Sequence, residues 1–208
     1  MVIDKFNEKL DQMFPDARCE LEYNKDYELL IATVLSAQCT DKRVNEVTRV
    51  LFNKYSLEGL RDAPIKDIEM IIRSCGSYTK KASYIKEIAK SLLNDYDGKV
   101  PNNREYLESL PGVGRKTTNV VLSNLFNEPT IAVDTHVERV SKRLKIARKN
   151  DNVLIVEKKL MKMIPKEKWS RSHHQMVLFG RYICKARGPL CTKCTFFNDC
   201  QAKDKKCD

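Results

Sequence analysis

The sequence lacks any uninterrupted apolar stretch that approaches the length of a membrane-spanning helix. Its first residues alternate apolar and charged side chains, and so lack the apolar core of a secretory signal peptide. We therefore expect a cytoplasmic protein that is not associated with a membrane. The sequence also has no internal repeat, no low-complexity tract and no Ser/Gly-rich linker. Any two lobes are therefore expected to be in close contact rather than strung apart.

Acidic residues are too few to balance the basic ones. Lys and Arg number 38 against 28 Asp and Glu, which gives a formal net charge of +10. A charge of this sign favours a polyanionic partner such as nucleic acid or an acidic membrane surface. It is equally compatible with a well-solvated basic surface, so the choice between these interpretations depends on motifs.

Apolar residues recur three or four positions apart along most of the chain, a period typical of amphipathic helices. The pattern predicts an all-α fold. The predicted helix ends are marked by proline or glycine at Pro15, at Gly98 with Pro101, and at Pro129. Asn102, followed three positions later by Glu105, predicts the start of another helix.

Residues 110–117, LPGVGRKT, form a short link between two amphipathic helical segments. Gly112 and Gly114 let the backbone turn sharply and come close to a ligand. The amides at the start of the second helix point at any anion that binds there, and a DNA phosphate fits this description. A lone pattern of this kind is also common in ordinary helix connections, so its meaning depends on the residues around it.

Lys116 falls in the first turn of the helix that follows this link. The helix dipole disfavours an additional cation at this end, and the neighbouring Arg115 acts in the same direction. Both effects favour the neutral amine, which is the nucleophilic form of lysine. Lys116 is therefore a candidate nucleophile, with a phosphate-binding or solvated lysine as the alternative.

Asp134 lies in the segment TIAVDTH, residues 130–136. A helix and a return segment of similar reach separate it from Lys116, so the chain can bring the carboxylate back beside the amine. The alternative is structural: Asp134 or Thr135 caps the next helix, with Glu138 completing a capping box. The two roles are compatible.

Four of the eight cysteines crowd together in the spacing C-x6-C-x2-C-x5-C, at Cys184, Cys191, Cys194 and Cys200. In a reducing compartment such crowding indicates a metal centre rather than disulfides. Zinc and a 4Fe-4S cluster both accept four thiolates, and the single Cys-x-x-Cys hook mildly favours the cluster. Cys207 is a possible substitute ligand, whereas the three remaining cysteines, Cys19, Cys39 and Cys75, are isolated in the sequence.

Lys185 and Arg187 lie in the loop between the first two of these cysteines. A metal centre would hold this basic loop rigid, as a phosphate-contacting edge requires. A solvated loop is the competing interpretation.

Together and in this order, LPGVGRKT, AVDTH and the cysteine pattern resemble the endonuclease III family of helix-hairpin-helix DNA glycosylases. The stretches LSAQCTD, residues 35–41, and residues 173–182 extend the resemblance over nearly the whole chain. It implies two α-helical lobes: a six-helix barrel with the helix-hairpin-helix at residues 19–129, and an iron-sulfur cluster domain built from residues 1–18 plus 130–208. The family's active site is a cleft between the lobes, so Lys116 and Asp134 are expected on its opposite walls.

The resemblance also implies an activity. Lys116 would attack C1′ of a deoxyribose, release the base and form a Schiff base, after which β-elimination cuts the strand 3′ to the site. Asp134 would stabilise positive charge on the sugar or move protons around the lysine. The implied substrates are oxidised or ring-saturated pyrimidines in duplex DNA, removed by a monomer acting on a prokaryotic-type chromosome. The 4Fe-4S cluster would be structural.

Two further positions are interpreted through the resemblance. Gln38 matches the family residue that helps to fill the space left by a flipped nucleotide. Family members commonly place a large apolar wedge after a glycine where this chain has Gly76 followed by Ser77. Ser77 cannot act as that wedge, and Tyr78 is either its substitute or a helix-packing residue.

Three other functions are compatible with parts of the pattern. A monofunctional adenine glycosylase would lack the lysine at position 116. A non-catalytic iron-sulfur DNA-binding protein would be expected to have lost Lys116 or Asp134, and both are present. A zinc-bound DNA module would be colourless. The three histidines match no nucleophile constellation, and we expect them to have structural roles.

Overall fold

The computed structural model describes residues 3–206, and within that range the chain forms helices and no strand. The all-α prediction is therefore confirmed. The α-helices are α1 (Ile3–Met13), α2 (Asp26–Leu35), α3 (Asp41–Lys54), α4 (Leu57–Asp62), α5 (Ile65–Ile72), α6 (Tyr78–Tyr96), α7 (Arg104–Ser109), α8 (Arg115–Phe126), α9 (Thr135–Arg143), α10 (Val153–Met163) and α11 (Trp169–Tyr182). Two 3-10 helices lie at Lys166–Lys168 and Cys191–Lys193. Cys207 lies outside the described residues.

The chain divides into two compact units, one of which is Cys19–Phe126. All residues of this unit are described, and they form the seven helices α2–α8. Helix α2 is its centre: residues 27–35 are all buried, because this helix is apolar on nearly every side. The other helices bury one apolar stripe each, as α5 does with Ile68 and Ile72.

The second unit combines the described residues up to Arg18 with those from Asn127 onward. Helix α1 packs against α11, and α11 packs against α9. Three fully buried phenylalanines pack together in this unit: the centre of the Phe196 ring lies 5.5 Å from that of Phe6 and 5.4 Å from that of Phe179. The chain's two ends are thereby joined in one core, which includes the segment around the clustered cysteines.

Helix ends follow the sequence signals with one exception. Helix α6 ends in two consecutive left-handed residues, Asp97 and Gly98, and α8 ends three residues before Pro129. Asn102 was expected to begin a helix, and this prediction is wrong by one position. Asn103 is the N-cap of α7, because its side-chain oxygen accepts the Tyr106 amide at 3.1 Å.

Among residues 3–206, no helix is both long enough and apolar enough to cross a membrane.

Candidate functional site

The link between α7 and α8 is a tight turn, closed by a hydrogen bond from the Val113 amide to the Leu110 carbonyl at 3.1 Å. Gly112 occupies it with φ +77°, a conformation that L side chains rarely adopt. A Cβ at Gly112 would also lie 2.5 Å from Cδ2 of Tyr84, a residue of α6. Backbone angle and space therefore both require glycine here.

Gly114 differs from Gly112, because a Cβ at Gly114 would meet no protein atom within 4 Å. The backbone at this point is open to solvent, and Gly114 is itself exposed. Its carbonyl accepts the Thr118 amide at 3.0 Å, so it stands at the start of α8, where the first-turn amides have no partners within the helix. This open backbone end is suited to the close approach of an anion.

Lys116 is the second residue of α8, and its side chain is exposed, as is that of Arg115. The next two residues, Thr117 and Thr118, are buried and anchor the first turn in the unit. The position of Lys116 is therefore fixed by the fold while its amine remains accessible. The exposed glycines of the hairpin and the two exposed cations are thus neighbours in sequence, all within the Cys19–Phe126 unit.

Asp134 belongs to the other unit and is the N-cap of α9. Its Oδ1 accepts the amides of His136 at 2.9 Å and Val137 at 2.8 Å. Of the two capping alternatives, Asp134 is therefore correct and Thr135 is not. Glu138 instead accepts from Lys142 at 2.6 Å. Both cap bonds end on Oδ1, so the Oδ2 atom of the half-buried carboxylate takes no part in the cap.

Cys184, Cys191, Cys194 and Cys200 line one common cavity together with apolar side chains such as Phe179, Ile183 and Phe197. Burial raises the pKa of Cys194 to about 11 and also raises that of Cys184. Among residues 3–206, no group of three or more His, Cys, Asp or Glu side chains is arranged to hold a metal ion. The donor set is four thiols around one largely apolar cavity, and four cysteines are the ligands of a 4Fe-4S cluster.

Two arginines of α9 hold the loop that follows the first of these cysteines. Arg143 donates to the carbonyls of Cys184 at 3.2 Å and Lys185 at 2.6 Å. Arg139 donates to the Cys184 carbonyl at 3.1 Å and to the Gly180 carbonyl at 2.6 Å. The side chains of Lys185 and Arg187 are exposed on the loop so fixed. Neither arginine was identified as functional from the sequence, where the available signal was their spacing of four on the helix that Asp134 caps.

Comparisons with known proteins identify the family. The family model described as HhH-GPD superfamily base excision DNA repair protein matches residues 31–166 of this chain. Endonuclease III of Bacillus subtilis (strain 168) is 51% identical over 203 residues, which cover 96% of this chain and 93% of that protein. Endonuclease III of Escherichia coli (strain K12) is 41% identical, over 95% of this chain and 93% of its own. The chain belongs to the endonuclease III family.

A solved structure agrees with this assignment. The trapped endonuclease III–DNA covalent intermediate, in its estranged-adenine complex, superposes with a TM-score of 0.92 at 51% identity, and the match covers 97% of this chain and 96% of that one.

The endonuclease III stretch LSAQCTD places Gln38 in an exposed turn after α2, with φ +57°. This turn is held from beneath by Lys81, a residue that sequence reasoning missed. Lys81 is only 5% exposed, and its Nζ donates to the carbonyls of Leu35 at 2.9 Å and Ala37 at 2.5 Å. Burial lowers the pKa of the Lys81 ammonium. The sequence gives little indication of this role, because a lysine in a lysine-rich chain is normally expected on the solvent-exposed surface.

The departure from the endonuclease III pattern lies on the neighbouring turn. Ser77 is exposed and left-handed, with φ +58°, and immediately precedes α6. Tyr78 is half-buried and packs against the core of its unit, as the helix-packing alternative predicted.

The histidines of this endonuclease III relative occupy packed positions. A Cβ at Gly180 would lie 2.8 Å from the His136 Cβ, so α9 and α11 are in backbone contact at this point. His173 is buried, and the ring of His174 lies 4.9 Å from it. Burial lowers the pKa of His174 to about 4.

Proposed function

We propose that this chain is a bifunctional DNA glycosylase and AP lyase of base excision repair that removes oxidised or ring-saturated pyrimidines from duplex DNA. The observation that carries the proposal is the exposed Lys116 amine, held in the first turn of α8 beside an open hairpin backbone. A chain 51% identical to this one has been captured as a covalent intermediate with DNA. Covalent capture requires a protein nucleophile, and a lysine amine is one of the few groups able to supply it.

In the proposed reaction, the Lys116 Nζ attacks C1′ of the damaged nucleotide. The glycosidic bond breaks, the base leaves, and the sugar ring opens to a Schiff base between C1′ and Nζ. Loss of a proton from C2′ then expels the 3′ phosphate by β-elimination, which cuts the strand 3′ to the abasic site. Hydrolysis of the Schiff base returns the free lysine.

Asp134 is proposed to act on the same sugar through the oxygen that the helix cap leaves available. A carboxylate fixed by two backbone amides is well placed to stabilise positive charge that develops on the sugar, or to move protons to and from the lysine. Because Oδ1 makes both cap bonds, Asp134 can perform its structural and its chemical role at once.

DNA contact is assigned to three surfaces. The hairpin binds a backbone phosphate through the open backbone at Gly114, with Gly112 forming the turn and Arg115 beside it, and the loop held by the α9 arginines contributes Lys185 and Arg187. Gln38 fills the space that the extruded nucleotide leaves. Extrusion costs a few kcal/mol and least for a poorly stacked damaged base, which favours lesions over normal pairs.

We assign the Cys19–Phe126 unit to the lobe expected as a six-helix barrel at residues 19–129, although the unit has seven helices, α2–α8, and ends three residues earlier. The unit formed by both ends of the chain is assigned to the iron-sulfur domain. Cys184, Cys191, Cys194 and Cys200 would hold a 4Fe-4S cluster, whose contribution is to cross-link the loop that carries Lys185. The protein is proposed to act as a cytoplasmic monomer.

The test is a single-turnover assay on duplex DNA with one oxidised pyrimidine, in which base release and strand scission are measured separately. Wild-type protein should do both. Lys116→Gln should abolish strand scission while lesion binding persists, and Lys90→Gln, which removes the same charge from an exposed position of α6, should behave as wild type. Scission by Lys116→Gln at the wild-type rate would refute the assignment. Base release without scission by the wild type would favour the monofunctional alternative.

A further inference from the structure

Two cysteines that are isolated in the sequence meet in the fold. The Sγ atoms of Cys39 and Cys75 lie 3.7 Å apart, although 36 positions separate the residues. Cys39 is partly exposed, whereas Cys75 is only 1% exposed. One thiol is therefore accessible to a small oxidant, and its neighbour is shielded from solvent.

The pair joins two turns that lie side by side. Cys39 follows Gln38 in the turn after α2, and Cys75 precedes Gly76 and Ser77 in the turn before α6. A Cβ built on Gly76 would lie 3.5 Å from the Gln38 carbonyl oxygen. Because a disulfide has an S–S distance of about 2.05 Å, bonding would bring the two sulfurs roughly 1.7 Å closer.

A buried cation stands beside the pair. The Lys81 ammonium, fixed by the Leu35 and Ala37 carbonyls, lies close enough to both cysteines to attract a thiolate on either one. Burial raises the pKa of Cys75 to about 11, and the charge of Lys81 opposes that rise. A nearby ammonium stabilises the thiolate, which is the form that reacts with peroxides and disulfides.

We propose that Cys39 and Cys75 form a reversible redox pair that a hydroperoxide oxidises to a disulfide. The Cys39 thiolate attacks the peroxide oxygen, the O–O bond breaks, and the departing oxygen takes up a proton, leaving Cys39 as a sulfenic acid. The Cys75 sulfur then attacks the Cys39 sulfur, the S–O bond breaks, and hydroxide leaves with the Cys75 proton as water. Two thiols and one hydroperoxide thus yield one disulfide, one alcohol (or water) and one water, and a small-molecule thiol reverses the change.

The consequence for DNA rests on the proposed function. The disulfide would clamp the turn of Gln38 to the turn of Ser77, and Gln38 is the residue assigned to the space left by the extruded nucleotide. Because a displacement of about 1 Å can slow catalysis by up to about a hundredfold, the oxidised protein is expected to excise a lesion roughly tenfold to a hundredfold more slowly. Reduction should restore the rate.

The experiment treats reduced, cluster-containing protein with limiting hydrogen peroxide in the absence of DNA, blocks the remaining thiols by alkylation, and maps linked peptides by mass spectrometry. We expect a Cys39–Cys75 cross-link that a thiol reductant removes, at unchanged visible absorbance of the cluster. Cys75→Ser, or Cys75→Ala if the serine is not tolerated, should leave Cys39 as a sulfenic acid that a dimedone-type probe captures. The control Cys19→Ser, which changes another cysteine of the same unit, should form the Cys39–Cys75 cross-link as the wild type does.

Oxidation of Cys39 to the sulfinic acid without any cross-link would overturn the proposal, as would a wild-type protein in which both thiols survive peroxide. Since the mapping uses no DNA, it does not depend on the proposed function. If the reduced protein fails to excise lesions, the proposed function fails while a mapped cross-link still supports the redox pair. If the cross-linked protein excises lesions as fast as the protein in its thiol form, the proposed clamp on Gln38 is refuted.

Discussion

The two glycines of the hairpin are expected to respond differently to the same added methyl group. At Gly112, an L side chain must adopt φ +77°, which costs about 1–2 kcal/mol. The new Cβ also lies 2.5 Å from the Tyr84 ring, and overpacking of this kind typically costs about 1–3 kcal/mol. At about 3 kcal/mol in total, Gly112→Ala should lower Tm by roughly 6–12 °C, since each kcal/mol corresponds to about 2–4 °C in a chain of this size.

Gly114→Ala should leave stability almost unchanged, within about 0.5 kcal/mol, because its Cβ meets no protein atom within 4 Å. The methyl group would instead occupy the space in which a DNA phosphate approaches the backbone. A hydrogen bond to a charged group contributes about 1.5–3 kcal/mol. Its loss should weaken lesion binding by roughly tenfold to a hundredfold, given that about 1.4 kcal/mol is a factor of ten in Kd.

Thermal unfolding and fluorescence anisotropy with a lesion-containing duplex at fixed salt separate the two effects. A Gly114→Ala variant that binds DNA as tightly as the wild type would refute the phosphate assignment of the hairpin. A Gly112→Ala variant with an unchanged Tm would refute the argument from φ and Tyr84. Replacing Tyr84 by leucine in the Gly112→Ala background should recover only the part of the stability loss that comes from the clash with the ring, and not the part that comes from the backbone angle.

Three further predictions concern the second unit, and one the whole surface. Asn is about as good a helix N-cap as Asp, so Asp134→Asn should change Tm little but slow turnover by about a hundredfold or more. A lowered Tm with normal turnover would show that Asp134 acts only as a helix cap. Burial holds the pKa of His174 at about 4 against 6.5 for the ordinary group, so on acidification the unfolded chain takes up this proton first. The free energy of unfolding should therefore fall as the pH is lowered from about 6.5 to about 4, by at most about 3 kcal/mol. Urea titrations at several pH values should show a smaller fall for His174→Gln than for the wild type. Arg143→Met removes the donor that holds the carbonyls of Cys184 and Lys185, so the iron content of the proposed cluster and the DNA affinity should both drop; wild-type values of both in the variant would contradict this role. Finally, log Kd should rise with log salt by about 0.9 per phosphate contacted; a flat response would contradict the basic-surface argument.

Local features of the fold were predictable from the sequence because they depend on neighbouring residues. Apolar periodicity is a property of a short window, so the all-α class followed directly, and Gly98 and Pro129 lie at or just beyond the ends of α6 and α8. The cap at Asn103 was misassigned to its neighbour because two adjacent asparagines offer the same side chain, and only the backbone conformation selects between them.

Features that depend on distant contacts were not predictable. Lys81 is one lysine among many, and what distinguishes it is burial beneath a turn more than forty positions away. Nothing in the sequence links Cys39 to Cys75, and only the packing that brings the turn after α2 next to the turn before α6 places their sulfurs together. Lys116 and Asp134, in contrast, could be singled out from the sequence because they lie in short motifs, and their catalytic roles were implied by the resemblance of those motifs to the endonuclease III family.

The measurement that tests the central claim most directly is borohydride trapping on duplex DNA that holds a single oxidised pyrimidine. Wild-type protein should give a covalent adduct whose mass equals that of the protein plus the cleaved, reduced strand, with the cross-link on the peptide that contains Lys116. Lys116→Gln should give none, whereas Lys90→Gln should be trapped as efficiently as the wild type. An adduct of undiminished yield with Lys116→Gln, or a wild-type protein that releases the base and is never trapped, would contradict the lysine Schiff base.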